Sequence, residues 1–365
     1  MPIPGVWDAN EASFHVARLL RAHDRLLDRA QVVQLPLIDG GAGTVDFLVT
    51  HTLGSFLEVE ATSATGEETV APIGFTGDDG KLSVIEMART SAVGSAGDFG
   101  TTAGVGQLIR DALDEGAFSI LLGHEEPLAC DAGFGAAAAL GVKFLDARGA
   151  EIPFEKPGAE LSKVERIDLS GRSFGLLSSR LYLAQSSSAR QSRPTQSLLQ
   201  ELGRLREIIQ RDTTITPSMN GLSASAIEFG LSALLGAEAR GGLSLVLEAS
   251  QIFESVDRNE FSAFLLFARD RAQIEEPELV VILDRLRAKI PCYVSLFVEG
   301  VPGDGLQNTS EVYLSEVPVF QAPLRADARE EERRRDLELR TDKIMPVLRD
   351  RLRPTPQKNA RSKRA

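Results

Sequence analysis

The residues best suited by type to chemistry fall in two short stretches. The first is Asp39-Gly40-Gly41-Ala42-Gly43-Thr44, which follows an apolar run and opens a helical pattern. Glycines there let the backbone come close to a ligand, and N–H groups at a helix start suit an anion. With no ligand, the same residues read as a glycine-rich turn with Asp39 or Thr44 as the cap. The second runs Gly123-His124-Glu125-Glu126-Pro127-Leu128-Ala129-Cys130-Asp131-Ala132-Gly133-Phe134-Gly135. Its three carboxylates, Glu125, Glu126 and Asp131, are hard oxygen donors of the kind that holds Mg²⁺. Adjacent loop glutamates otherwise read as solvated surface, and they would repel a polyphosphate. Pro127 removes an N–H from the same loop. Further along, Arg269 and Arg271 offer bidentate partners for an anion.

The elements around these stretches follow from periodicity. Val105, Leu108, Ile109 and Ala112 recur at helical spacing, and Phe118-Ser-Ile-Leu-Leu122 reads as a strand covered on both faces. The second loop comes next, then a small-residue helix over 136–140 and a strand near 143–146. A strand-to-helix loop is where α/β proteins place ligands. Earlier, residues 14–27 carry an apolar helical stripe, 31–35 form a strand, and the glycine-rich turn enters a helix over 44–50. Residues 55–61 alternate as a strand. Residues 70–75 and 81–87 read as a hairpin around Asp78-Asp79-Gly80. Glu86, at the end of that hairpin, reads as a capping or ion-paired glutamate. Leu198, Leu199, Leu202, Leu205 and Ile208 predict an amphipathic helix over 195–211. The alternation resumes with strand 263–267, helix 277–289 and strand 292–298. Gly300-Val-Pro-Gly303-Asp304-Gly305 reads as a turn, and residues 327–350 as a solvated helix laced with ion pairs.

Several short motifs resemble the bacterial two-domain glycerate kinase family. Asp39-Gly40-Gly41-Ala42-Gly43-Thr44 resembles that family's Asp-Gly-Gly-Glu-Gly-Thr segment, and Ile85-Glu86-Met87-Ala88 its Ile-Glu-Met-Ala segment. Gly104-Val-Gly106-Gln-Leu-Ile109, Ala139-Leu-Gly141-Val-Lys-Phe-Leu145-Asp146 and Arg166-Ile-Asp168-Leu-Ser-Gly171 also match, in the family's order. The resemblance implies an α/β fold of two domains. One is a flavodoxin-like parallel-sheet domain formed by both chain ends, expected over residues 1–69 and 251–350. The other is an inserted mixed α/β domain over 70–250, and a basic tail over 351–365 is expected to be disordered. It also implies ATP-dependent phosphorylation of glycerate with Mg²⁺. On this resemblance Asp39 and Asp131 are the catalytic candidates. Asp8, Ser13, Gly40, Gly41, Thr44 and Arg269 are substrate-binding candidates, Gly104, Gly106 and Gly133 nucleotide-binding ones, and Glu125 and Glu126 metal ligands.

The loops depart from the family pattern while the apolar framework keeps it. Glu11 stands where the family's Asp-Ser-Phe-Lys-Gly-Ser segment has lysine, and Ala42 where it has an acid. Glu125-Glu126-Pro127-Leu128-Ala129-Cys130-Asp131-Ala132-Gly133 replaces Gly-Gly-Ser-Ala-Thr-Asn-Asp-Gly-Gly. Leu183-Ala-Gln185-Ser-Ser-Ser188 lacks the carboxylates of a Cys-Asp-Val-Asp-Asn segment, and residues 217–237 hold fewer glycines. A cation exchanged for an anion beside a phosphate reverses an interaction of about 4 kcal/mol at ~4 Å and an effective dielectric near 20. The expected function is therefore a glycerate-kinase-like protein, weak or inactive as a kinase, with a small-acid pocket around Asp39, Asp131 and Arg269. The alternatives are an active kinase for glycerate or a related hydroxy acid, and a structural partner of an intact paralogue.

Composition narrows the classes further. The 365 residues suffice for two domains, and 43% hydrophobic with 25% charged residues is ordinary for a globular protein. No apolar run approaches a membrane span and no signal-peptide pattern opens the chain, so a cytoplasmic protein without membrane partners is expected. Two distant cysteines, Cys130 and Cys292, fit a reducing compartment, and four scattered histidines give no Cys/His metal spacing. The net charge of −12 divides into +6 from Arg325 onward and −18 before it. An acidic body argues against a specific nucleic-acid partner. A small organic acid, and assembly into a homo- or hetero-oligomer, are the partner expectations.

Overall fold

The computed structural model describes Arg18 and residues 37–77, 82–94, 100–258, 264–268, 277–289, 293–297, 313–314 and 317–318. Outside them lie Asp8, Ser13, Arg269 and Arg271, together with the expected elements at 14–27, 31–35, 78–80, 300–305 and 327–350 and the tail. The chain divides into two compact units, residues 1–37 with 252–365, and residues 38–251.

The unit 38–251 contains α1 (Thr44–Thr52), β1 (Ser55–Thr62), β2 (Glu68–Phe75), β3 (Leu82–Glu86), α2 (Ala88–Ser91), α3 (Ala103–Asp114), β4 (Ser119–His124) and α4 (Phe134–Ala139). There follow β5 (Lys143–Leu145), β6 (Arg166–Asp168), α5 (Gly175–Ser178), β7 (Arg180–Gln185), α6 (Ser187–Gln191), α7 (Gln196–Thr213), α8 (Ile227–Leu235), β8 (Glu238–Gly241) and α9 (Gly242–Ala249). One mixed sheet takes the order β1-β2-β3-β4-β7-β8. β1 pairs antiparallel with β2, and β2 with β3 through Gly74 opposite Val84, as the hairpin reading expects. From β3 through β4 and β7 to β8 the pairing is parallel. The parallel strands thus deliver their C-terminal ends, Glu86, His124, Gln185 and Gly241, to one edge, where an open α/β sheet presents its crevice. Helix α1 and strand β1, assigned from sequence to the outer domain, pack and pair inside this unit.

Burial explains why these segments take these shapes. Val105, Leu108, Ile109 and Ala112 on α3 are all fully buried, so the helical stripe faces the core as expected. β4 is covered on both faces, which accounts for its unbroken apolar run. Behind the second loop, Phe134 stacks on Phe144 with ring centroids 4.4 Å apart, and Phe154 meets both edge-on at 5.4 and 4.9 Å. Thr195 caps α7 by accepting from the Leu198 N–H, and Leu202, Leu205 and Ile209 are fully buried beneath it. In the other unit, β9 (Phe264–Ala268) and β10 (Tyr293–Phe297) pair in parallel. α10 (Ile252–Asp257) meets α11 (Pro277–Lys289) through Asp257–Arg285 at 2.9 Å, with the guanidinium also over the Phe253 ring. Two further short strands, β11 (Tyr313–Leu314) and β12 (Val317–Pro318), form an antiparallel pair. Among the described residues no helix is long and apolar enough to cross a membrane.

Candidate functional site

Both loops singled out from sequence meet at the C-terminal edge of the parallel strands. The turn Asp39–Gly43 lies against the ends of β4 and β7. A Cβ on Gly40, whose φ is +93°, would stand 2.3 Å from the Ala184 carbonyl oxygen, so only glycine passes there. Thr44 does not cap α1: its hydroxyl donates to the Gly41 carbonyl at 2.6 Å. The cap comes from Glu86 at the end of β3, whose Oε1 accepts from the Val45 N–H at 3.0 Å while Oε2 accepts from Arg89 at 2.8 Å. The capping and ion-paired reading of Glu86 is therefore what the geometry gives. Asp39 caps another helix, accepting the Ser187 N–H at 2.7 Å at the start of α6.

The second loop holds its carboxylates in three environments. Glu125 reaches across to the turn, where its Oε2 accepts the Ala42 N–H at 2.9 Å. Glu126 is a correction to the solvated-surface reading, since its side chain is only 6% exposed. Its oxygens accept from the Leu128 N–H at 2.8 Å and from the Ser225 N–H and hydroxyl, and His124 Nε2 lies 3.3 Å away. Burial alone would raise this carboxyl, but bonds from His124 and Ser225 outweigh it and hold Glu126 at about 2. Asp131 is buried too, and it organises the loop. Thr102 N–H at 2.8 Å, the Thr102 hydroxyl, Gly133 N–H at 2.9 Å and Gly135 N–H at 3.0 Å all converge on it. Here burial wins against those donors and pushes the carboxyl up to about 6.

Sequence reasoning missed the partners that bury Glu126. His124 is fully buried between two carboxylates, with Nδ1 3.3 Å from Glu228 Oε1 but not aligned for a hydrogen bond. Glu228, on α8, accepts from Gln185 Nε2 at 2.8 Å and from the Ser223 hydroxyl at 3.0 Å. The network ties the end of β4, the end of β7 and the segment before α8 into one buried polar cluster. A glutamate within the apolar run Ile227–Leu235 was the one available signal, because buried carboxylates need partners.

Two of the three glycines expected to bind nucleotide lie within a helix. Gly104 and Gly106 lie inside α3, where added Cβ atoms would stand 2.1 Å from the Thr62 carbonyl oxygen and 2.3 Å from that of Ala136. They let α3 approach β1 and α4, and Gln107 locks the first contact through paired bonds to Thr62. Gly133, φ +79°, starts α4. The structure thus gathers Asp39, Gly40, Gly41, Thr44, Glu125 and Glu126 at one edge. Asp131 and Gly133 lie within the same loop, and Gly104 and Gly106 lie in the helix packed beside it.

The fit to Mg²⁺ and ATP can be tested on these donors. Both Glu126 oxygens are engaged by the protein, and among the described residues no group of three or more His, Cys, Asp or Glu is arranged to hold a metal ion. Several N–H groups here are spent as well: Leu128 on Glu126, Ala129 on the Ser91 carbonyl, Gly133 and Gly135 on Asp131, and Ala136 on the Thr102 hydroxyl. These residues do not fit a metal-bound polyphosphate.

Residues 5–185 match the model of the glycerate kinase family. A glycerate kinase of Haemophilus influenzae is 38% identical over 151 residues, 40% of this chain and 39% of that protein. A glycerate 2-kinase of Escherichia coli K12 is 38% identical over 148 residues, and a glycerate kinase of Bacillus subtilis 168 is 40% identical over 144. The matched stretch spans about two fifths of the length of these relatives. A solved structure from Salmonella typhimurium LT2 with a glycerate kinase 2 description superposes with a TM-score of 0.73 at 22% identity. That match covers 94% of this chain and 95% of the other, and it carries the two-domain α/β fold class. Residues 5–185 are thus similar to the glycerate kinase family, as the motifs indicate.

Proposed function

We propose that this is a glycerate-kinase-like protein that phosphorylates glycerate weakly or not at all and keeps a small-organic-acid site for binding or regulation. Phosphoryl transfer depends on N–H groups, a cation and metal ligands arranged around the phosphates. The observation that carries the proposal is the loop from Glu125 to Gly135, where the N–H groups of Leu128, Gly133 and Gly135 are taken by Glu126 and Asp131 of the same loop. A polyphosphate arriving there would meet anions and no spare donors from those groups. The turn Asp39–Thr44 keeps its glycines and lies at the N-terminus of α1, which suits a single carboxylate. On the family resemblance, Asp8, Ser13 and Arg269 are further substrate-binding candidates.

One observation favours a second reading, an active ATP-dependent kinase for glycerate or a related hydroxy acid: 36–40% identity to proteins named glycerate kinase. In that reading Mg²⁺ and ATP would be held by groups other than Glu125 and Glu126. Calorimetric titration with Mg-ATP, with and without glycerate, separates the two. No heat at millimolar nucleotide, with a glycerate response alone, is the expected result. Micromolar nucleotide binding with ADP formed from glycerate would overturn the proposal.

A further inference from the structure

Glu125 is the least anchored carboxylate at the sheet edge. Glu86, Glu126 and Glu228 are 4, 6 and 5% exposed and each binds two or more groups. Glu125 is half-buried, and among the described residues its side chain holds one bond, on the surface, to the Ala42 N–H. That bond spans 83 residues of sequence, from the end of β4 to the turn before α1. The place is specific. A Cβ on Gly41 would stand 3.1–3.2 Å from all three atoms of the Glu125 carboxylate, so the absence of a side chain at 41 is what lets it settle there.

The geometry points to Glu125 as a built-in anion that an acidic ligand must displace from the Asp39–Thr44 turn. The inference rests on reading that turn as the small-acid site. Ala42 donates outward at the start of α1, where the helix favours negative charge, and Glu125 already takes that donor. Two carboxylates cannot share one N–H without repelling each other, so the residue lowers the affinity of every anion. It does so most for those of higher charge, which gives it a role in selecting singly charged acids over phosphate.

The test compares the full chain with Glu125→Gln and Glu125→Ala, using glycerate and inorganic phosphate as probes in low-salt calorimetry. Amide hydrogen exchange and the NMR shift of Ala42 report on the turn itself. Both variants should fold like the parent, since a single surface bond is removed. Glycerate is expected to bind Glu125→Ala at least tenfold more tightly, with Glu125→Gln between and a larger ratio for phosphate. The Ala42 amide should exchange faster in both variants and move when glycerate is added to Glu125→Ala. Equal affinity across the three proteins would overturn the displaced-anion role while leaving the small-acid site standing. Weaker binding by the variants would make Glu125 a ligand contact and also overturn it. No glycerate binding by any protein, with the Ala42 amide unmoved, would overturn both the small-acid reading and this one.

Discussion

Replacing Asp131 by asparagine tests the account of the second loop, because its effect should depend on pH in a calculable way. In the folded chain the carboxyl is pushed up to about 6 by burial, against an ordinary value of 3.8. A folded value above the unfolded one means that the folded chain holds the proton more tightly. The associated stability is fully present below pH 3.8 and is lost as pH rises through about 6. The total loss is about 3 kcal/mol, of which about 2 kcal/mol falls between pH 4.5 and pH 8. Asp131→Asn has no such titration. Its amide offers one acceptor oxygen to donors that now converge on two, and turns an NH₂ toward the rest. Each orphaned buried donor costs about 1–3 kcal/mol, partly offset at neutral pH by removal of the buried charge.

Urea unfolding of wild type and Asp131→Asn at pH 4.5 and 8 isolates this contribution by difference. Wild type should gain about 2 kcal/mol over the variant on going to the lower pH. A carboxyl ¹³C titration of Asp131 should show its midpoint near 6. A stability difference that does not change with pH, or a carboxyl midpoint near 4, would refute the claim that burial outweighs the four donors.

Two further expectations follow from the same loops and their supports. Glu126, held at about 2 against an ordinary 4.5, contributes stability that is present above pH 4.5 and lost as pH falls through about 2. Glu126→Gln should therefore cost about 2–4 kcal/mol at pH 7 by urea unfolding, and the gap to wild type should narrow at pH 2.5. Gly106→Val should destabilise by about 3 kcal/mol or more in thermal or urea unfolding, because its Cβ would overlap the Ala136 carbonyl. An unchanged midpoint would sink the packing explanation for that glycine.

The framework was legible because periodicity encodes it. The buried stripe of α3, the β2–β3 hairpin and the apolar face of α7 each depend on residues within a few positions of one another. The site was less legible because its contacts are long-range. Glu126 meets Ser225 across 99 residues and Glu125 meets Ala42 across 83. Neighbouring glutamates in a loop carry no mark that says one is buried and the other is not. Gly104 and Gly106 were nucleotide-binding candidates on the family resemblance alone, and what a side chain there would meet, the backbone carbonyls of Thr62 and Ala136, lies far away in sequence.

The division between framework and loops gives the proposed loss of kinase chemistry its physical form. A phosphate site needs N–H donors that stay unpaired until the ligand arrives, and such donors cost stability while they wait. In this chain the same edge is filled from within: Glu86 takes a donor of α1, Glu125 one of the turn, Glu126 one of the loop, and Asp131 those at the start of α4. Three of these carboxylates are buried and multiply bonded, so removing any one leaves orphaned donors inside the fold. Glu125 alone stands at the surface on one bond. If the edge still answers to an anion, exchange at Glu125 disturbs the fold least of these four, because a ligand replacing Glu86, Glu126 or Asp131 would first have to open the core.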